Sequence, residues 1–124
     1  MDDELYKENI LDHYRNPRNK DVLSEFDLKG EGVNASCGDK VTFFVKFDGN
    51  GNVVRASFEG DGCAISQAST SMLTEKIKGM SKDEVKLLSP GDIYDMLGIK
   101  ISPGRTKCAL LPYEALSNGL QTVK

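Results

Sequence analysis

Three cysteines and one aspartate are the residues of this 124-residue sequence whose side chains best suit metal chemistry. The cysteines are Cys37, Cys63 and Cys108, and Asp39 follows the first of them by two positions. Thiolates and carboxylates are ligands for zinc, and thiolates hold the corners of iron–sulfur clusters. An odd number of cysteines is atypical of a secreted disulfide framework, and in a reducing cytosol thiols either stay free or hold metal. The count alone leaves both fates open.

A predicted antiparallel hairpin brings the first two cysteines together. Residues 48–52 have the composition of a tight turn, and residues 53–58 form the returning strand. The strand before the turn, residues 40–47, has a period-2 pattern in which one set of residues, Val41, Phe43, Val45 and Phe47, alternates with a second set, Thr42, Phe44 and Lys46. If the turn centres near position 50, the numbers of paired residues sum to about 101, and position 38 then faces position 63. Cys37 and Cys63 are therefore expected at the same open end of the hairpin.

The second and third cysteines are both predicted at the start of a helix. Residues 63–80 carry apolar side chains at helical spacing, so that Cys63 opens this segment. Pro112 is tolerated best in the first turn of a helix, which predicts that the last helix runs from Cys108 to Gly119. A helix N-terminus presents free N–H groups and a partial positive charge, and both favour a thiolate over a thiol.

Two basic residues precede the last cysteine. Arg105 and Lys107 add positive charge next to Cys108, which further favours its thiolate. We assign both a supporting role at the site, with Lys107 as the residue placed to orient the Asp39 carboxylate or lower the pKa of the thiol. The alternative reading of each is a plain surface charge.

The remaining pattern completes a fold of the α+β class. Strands come first and most helices after, which indicates a three-stranded antiparallel sheet with helices packed on one face. The other predicted elements are a helix over residues 3–15, a weak glycine-interrupted strand over 23–34, a short helix after a capping box at Ser81, a helix over 91–97 and a loop over 98–107.

Composition and charge bound the function. The length predicts a single domain over residues 1–124. The sequence contains no run of 18 apolar residues, so we expect no membrane-spanning helix. The formal net charge is −3 and the basic residues are scattered, so we expect neither nucleic acid nor membrane surfaces as partners. The acidic start lacks the apolar stretch of a secretory signal, which makes the cytoplasm the expected location.

Four motifs in the same order resemble the iron–sulfur scaffold family of IscU, SufU and the NifU N-terminal domain. The likeness spans most of the chain, and four separate motifs make it specific. They are His13-Tyr14-Arg15-Asn16-Pro17-Arg18-Asn19, Asn34-Ala35-Ser36-Cys37-Gly38-Asp39, Gly60-Asp61-Gly62-Cys63-Ala64-Ile65-Ser66-Gln67-Ala68-Ser69 and Gly104-Arg105-Thr106-Lys107-Cys108.

The resemblance implies a scaffold that takes sulfur from a cysteine desulfurase together with iron. Such a scaffold assembles a transient [2Fe-2S] cluster and passes it to apo-proteins or carrier proteins, and zinc can occupy the same site. By the same resemblance, Cys37, Cys63 and Cys108 are the cluster and metal ligands, and Asp39 is the labile fourth ligand. Cys108 is the residue that first accepts persulfide sulfur. A carboxylate corner binds a cluster less tightly than a fourth thiolate, which suits release.

The motifs mix features of two branches of the family. IscU-type members carry histidine immediately before the last cysteine, where this chain has Lys107, and residues 102–108 look like the SufU type. The spacing of 45 residues from Cys63 to Cys108 matches the IscU type instead, because SufU-type members have an insertion there. The proline-rich chaperone motif of IscU is missing. The single histidine, His13, is expected to pack or cap near the end of the first helix.

Three functions remain open at this point. The first is an assembly scaffold without turnover of its own. The second is a zinc-dependent sulfur acceptor that relays persulfide sulfur from the desulfurase through Cys108. The third is a small zinc-stabilised interaction domain without sulfur chemistry, in which removal of zinc unfolds the chain.

Overall fold

The computed structural model describes residues 3–34 and 38–121. One helix precedes a three-stranded sheet of order β1-β2-β3, and the remaining helices follow it. Both strand pairs are antiparallel, so the predicted fold class is confirmed. In chain order the elements are α1 (Asp3–Arg15), β1 (Leu28–Asn34), β2 (Asp39–Phe47), β3 (Val53–Asp61), α2 (Ala64–Ile77), α3 (Lys82–Lys86), α4 (Pro90–Leu97), a 3-10 helix (Pro103–Arg105) and α5 (Thr106–Leu120).

The β2–β3 hairpin has the predicted register. Lys40 faces Asp61 and Lys46 faces Arg55, so the paired numbers sum to 101 along most of the hairpin. Beyond Lys46 the register shifts by one residue, and Phe47 faces Val53. The turn is held by the Asp48 carboxylate, which accepts hydrogen bonds from two backbone N–H groups of the turn at 2.8 and 3.0 Å. These side-chain to backbone hydrogen bonds within the turn are the local interactions that set the position of the hairpin turn.

The main core lies between the sheet and the later helices. α5 packs on β1 and β2, α2 packs on β3, and α4 contacts both of these helices, while α1 lies against α2. Burial of these side chains is the dominant favourable term in folding. The largest fully buried side chains are Leu28, Val41, Phe43, Val45, Phe58, Leu73, Ile77, Val85, Ile93, Leu97, Leu111 and Leu116.

The outer face of the sheet is partly covered as well. Phe44 alternates with the core residues of β2 and so lies on the opposite face of the sheet, yet it is only 2% exposed. The connection between α1 and β1 crosses this face, and the ring of Phe26 lies 5.4 Å from that of Phe44. The same connection pairs with the edge of β3, where the N–H of Asp21 bonds the carbonyl of Phe58 at 2.9 Å. Contacts with residues distant in sequence therefore bury the Phe44 side chain, which the alternation pattern alone would place in solvent.

The first strand is shorter than predicted, and it packs unusually closely on a helix. It begins at Leu28 rather than at position 23. A Cβ atom added to Gly30 would overlap the carbonyl oxygen of Ala115 in α5, so the helix backbone lies directly on the strand. Glycine in a strand often marks such a close approach. The glycine that weakens the strand pattern in the sequence thus allows the contact that positions α5.

The last helix begins earlier than predicted. It starts at Thr106, and Pro112 lies inside it as the seventh residue, so the prediction that this proline stands in the first turn is wrong. The start is set by the preceding 3-10 helix, in which Arg105 N–H bonds the carbonyl of Ser102 at 2.9 Å. The Thr106 hydroxyl adds a bond to the carbonyl of Pro103 at 3.1 Å.

The two short helices agree with the sequence pattern. The capping box at Ser81 is confirmed, with the Glu84 N–H bonding the serine hydroxyl and the Ser81 N–H bonding the glutamate. Of the helices in the described ranges, none has the length and apolar character needed to cross a bilayer.

Candidate metal centre

Three separated segments bring an aspartate and two cysteines together at one end of the sheet. Asp39 is the first residue of β2, Cys63 caps α2, and Cys108 is the third residue of α5. One ligand atom from each, the carboxylate oxygen and the two sulfurs, lie within 4.8 Å of one another. Neither cysteine is in a disulfide. Cys37, the remaining predicted ligand, lies outside the described residues.

Asp39 is a buried carboxylate with two polar neighbours. It is 4% exposed, and its Oδ2 accepts a hydrogen bond from the Ser66 hydroxyl at 3.0 Å. The thiol of Cys108 approaches the same oxygen at 3.9 Å. Because a buried carboxylate without partners is costly, these contacts account for its retention in the interior.

Cys63 occupies the N-cap position of α2 in an extended conformation, with φ −67° and ψ 170°. It is half-buried, and burial by itself raises the pKa of its thiol. Hydrogen bonds from the Ser66 hydroxyl and N–H, the Cys108 thiol and the Ile65 N–H outweigh this effect and bring the pKa of Cys63 below its ordinary value. The helix start thus stabilises a thiolate, as the sequence predicts.

Cys108 is the more enclosed of these two cysteines. Its side chain is buried with the residue only 3% exposed, and the Asn34 amide donates toward its sulfur at 3.8 Å. The neighbouring Arg105 and Lys107 are both exposed on the surface beside it. Their supporting roles stay predictions.

His13 lies away from this cluster and packs between two helices, in agreement with its predicted packing role. Its Nδ1 is 2.8 Å from the Ser71 hydroxyl on α2, and its Nε2 is 3.8 Å from the Glu75 carboxylate. Burial and the nearby Arg18 charge hold the pKa of His13 below its usual range. The residue therefore fastens α1 to α2.

Sequence reasoning missed two residues that contact the cluster. Ser66 stands three positions after Cys63, which places both on the same side of the first turn of α2, so its spacing was a usable signal. Asn34 ends β1 directly opposite Asp39, and its place follows only from the strand register.

The donor set suits zinc or one corner of an iron–sulfur cluster. Two thiolates and one carboxylate are ligands typical of zinc sites, with bonds of about 2.0–2.3 Å, so donors on one tetrahedral ion lie roughly 3.5–4 Å apart. The observed donors, within 4.8 Å of one another, need to close by only about 1 Å to share an ion. A fourth ligand remains to be supplied.

Comparisons of the sequence with known proteins identify a family. Residues 5–124 match the family described as NifU-like N terminal domain. The zinc-dependent sulfurtransferase SufU of Bacillus subtilis is 41% identical over 95% of this chain and 90% of its own length. The iron–sulfur cluster assembly scaffold protein IscU of Thermotoga maritima is 34% identical over 96% of this chain and 94% of its own.

A solved structure gives the same result for the fold. The crystal structure of an iron–sulfur cluster assembly scaffold protein for the SUF system from Fervidobacterium islandicum AW-1 superposes with a TM-score of 0.76 and 34% identity, covering 97% of this chain and 99% of the other. The match runs through all three segments that carry Asp39, Cys63 and Cys108. This chain therefore belongs to the family of NifU-like N-terminal domains.

Proposed function

We propose that this protein is a scaffold for iron–sulfur cluster assembly, acting as one domain over residues 1–124. It receives sulfur from a cysteine desulfurase, binds iron, builds a [2Fe-2S] cluster and passes it to apo-proteins or carrier proteins. The observation that carries the proposal is the convergence of Asp39, Cys63 and Cys108 within 4.8 Å. The names of the relatives from Thermotoga maritima and Fervidobacterium islandicum support it.

The residues divide the work of holding the cluster. Cys63 offers a sulfur whose lowered pKa favours the ligating thiolate, and Cys108 offers a second sulfur from inside the site. Cys37 is the proposed third thiolate. Asp39 supplies a harder oxygen donor, which suits iron–sulfur chemistry less well than a thiolate and makes this corner the first to exchange.

A zinc-dependent sulfurtransferase is the second candidate. The 41% identity to the Bacillus subtilis protein of that name favours it, as does Lys107 beside Cys108. Zinc held by Cys37, Asp39, Cys63 and Cys108 would supply positive charge that keeps the thiols deprotonated. The Cys108 thiolate attacks the outer sulfur of the desulfurase persulfide. A new S–S bond forms on Cys108, the old S–S bond breaks, and the desulfurase cysteine leaves as thiolate.

Anaerobic reconstitution distinguishes the two candidates. Metal-free protein is mixed with ferrous iron, cysteine and a cysteine desulfurase, and the visible spectrum is recorded. We expect the thiolate-to-iron charge-transfer band of a [2Fe-2S] cluster to appear, to be lost in Cys63→Ala, and to move to an added apo-ferredoxin. Leu87→Ala, which changes a side chain 81% exposed on another surface, is the matched control and should give the wild-type band.

Absence of the band would contradict the scaffold function. If desulfurase turnover then rises only with the zinc-loaded protein, and returns to its basal rate with Cys108→Ala, the sulfurtransferase is supported instead. Absence of both effects would contradict both functions.

A further inference from the structure

Ser66 contacts two of the three converging residues at once. Its hydroxyl donates to Asp39 Oδ2 at 3.0 Å and lies 3.5 Å from Cys63 Sγ. The residue is fully buried in the first turn of α2. A buried hydroxyl between a carboxylate and a thiol can change how both are presented to a metal.

We propose that Ser66 is a positioning residue that holds the Asp39 carboxylate at the metal centre and thereby sets how firmly this oxygen corner binds. The inference rests on the proposed function, because it concerns the same site. In this role Ser66 does not touch the metal; it hydrogen-bonds to a residue that does, and so orients that ligand.

The single hydroxyl proton is the basis of this role. A carboxylate oxygen accepts hydrogen bonds, and the Ser66 hydroxyl donates its proton to Asp39 Oδ2 at 3.0 Å. The Cys63 sulfur lies 3.5 Å from the same hydroxyl oxygen, so one hydroxyl group is in contact with both ligands. The hydroxyl therefore links the oxygen ligand to the neighbouring sulfur ligand.

Close packing fixes the hydroxyl in this position. A Cβ atom added to Gly62 would lie 3.0 Å from Ser66 Cβ and 3.2 Å from Asp39 Cγ, so the glycine is needed for the approach of the two side chains. The carbonyl of Ser66 accepts a hydrogen bond from the Thr70 hydroxyl at 2.6 Å. With little free space, Ser66 and Asp39 have few alternative arrangements.

A second buried serine on the same helix provides a matched control. Ser71 is also fully buried, and its hydroxyl also bridges two partners, His13 Nδ1 and the Arg18 N–H, each at 2.8 Å. Ser71→Ala thus removes the same group with the same burial but away from the metal centre. Alanine is smaller than serine and favours helix, so both variants are expected to fold.

The test is zinc affinity measured by chelator competition, with thermal unfolding recorded in parallel. We expect Ser66→Ala to weaken zinc binding about tenfold, whereas Ser71→Ala changes it by no more than about twofold. In an Asp39→Ala background, adding Ser66→Ala should cause no further loss, because the serine acts through the carboxylate. The cobalt-substituted Ser66→Ala protein should keep the wild-type thiolate-to-cobalt band while its d–d bands shift, which reports a changed oxygen ligand.

Two results would overturn the role of Ser66 alone. One is equal zinc affinity of Ser66→Ala and Ser71→Ala, and the other is a full additional loss when Ser66→Ala is combined with Asp39→Ala. A different result would remove the metal site itself: if the wild-type protein bound neither zinc nor cobalt, or if Asp39→Ala bound zinc as well as the wild type, the proposed ligand set would be wrong and the role of Ser66 with it.

Discussion

The starts of α2 and α5 each present a cysteine to the same site, but they do so differently. Cys63 is the N-cap of α2, outside the helix and half-buried, and its sulfur lies 3.5 Å from the Ser66 hydroxyl. Cys108 is the third residue of its helix, three positions past the N-cap, and it is buried, with its sulfur directed toward Asn34 and Asp39. A cap position leaves a sulfur at the open end of the helix, whereas a position inside the first turn directs it at neighbouring elements.

The two helix starts are also held in place differently. α2 carries buried hydroxyls that bond to surrounding groups, including Ser66 to Asp39 and Ser69 to the carbonyl of Ala109 at 2.7 Å. α5 instead rests with its backbone on Gly30 of β1. Hydroxyls of α2 therefore reach Asp39 and the start of α5, whereas close backbone packing on β1 holds the middle of α5, so different substitutions should disturb each contact.

The largest expected effect is at the glycine contact. Gly30→Ala should destabilise the protein by about 3 kcal/mol, because the new methyl group overlaps the Ala115 carbonyl and neither backbone can move freely. Urea unfolding measures the loss. Gly49→Ala is the control, since a Cβ atom there would meet nothing within 4 Å, and its stability should stay within about 0.5 kcal/mol of wild type. Equal stability of the two variants would refute close packing of α5 on β1.

The next effect is on the reactivity of the two sulfurs. In metal-free protein, Cys63 should react with iodoacetamide at least about tenfold faster than Cys108, because the half-buried thiol is accessible and the buried one reacts only after local opening. Peptide mass spectrometry follows each cysteine separately, and both should react equally fast in denaturant. Equal rates in the folded protein would remove the distinction between the two helix starts.

The smallest effect is on the pH dependence of Cys63. Its hydrogen bonds hold the pKa of the thiol below the ordinary value despite burial. The reactive thiolate should therefore persist to lower pH than in glutathione, and the alkylation rate should fall only as the pH drops through this lowered pKa. Rate profiles of metal-free protein against pH give the midpoint. A wild-type midpoint at or above that of glutathione would contradict the hydrogen-bond assignment.

Local signals account for what the sequence predicted well. The turn around Asp48 and the alternation in residues 40–47 predict the hairpin and its register, and helical spacing predicts that Cys63 opens α2. The convergence of Asp39 and Cys63 follows from these two elements. The position of Cys108 beside these two residues could be predicted only from the family resemblance, because nothing near Cys108 in the sequence indicates where α5 packs.

Long-range packing accounts for what was missed. The burial of Phe44 depends on Phe26, and the place of Gly30 depends on Ala115, residues far apart in the chain. Pro112 misled the prediction of the helix start because the preceding 3-10 helix, rather than the proline, fixes it. Ser66 is a different case, since its spacing from Cys63 was visible and only its proximity to Asp39 was not.

The one-residue register shift beyond Lys46 has a consequence for the far end of the hairpin. Directly opposed residues share a face, and the register on the Asp39 side of this irregularity pairs Phe43 with Phe58 and Val45 with Ala56 in the core. Without the shift, Phe43 would face Ser57, and every side chain of β3 would change sides. An irregularity roughly 25 Å away, at about 3.3 Å per residue, thus decides which face of the sheet the β3 side chains take as the strand approaches Cys63.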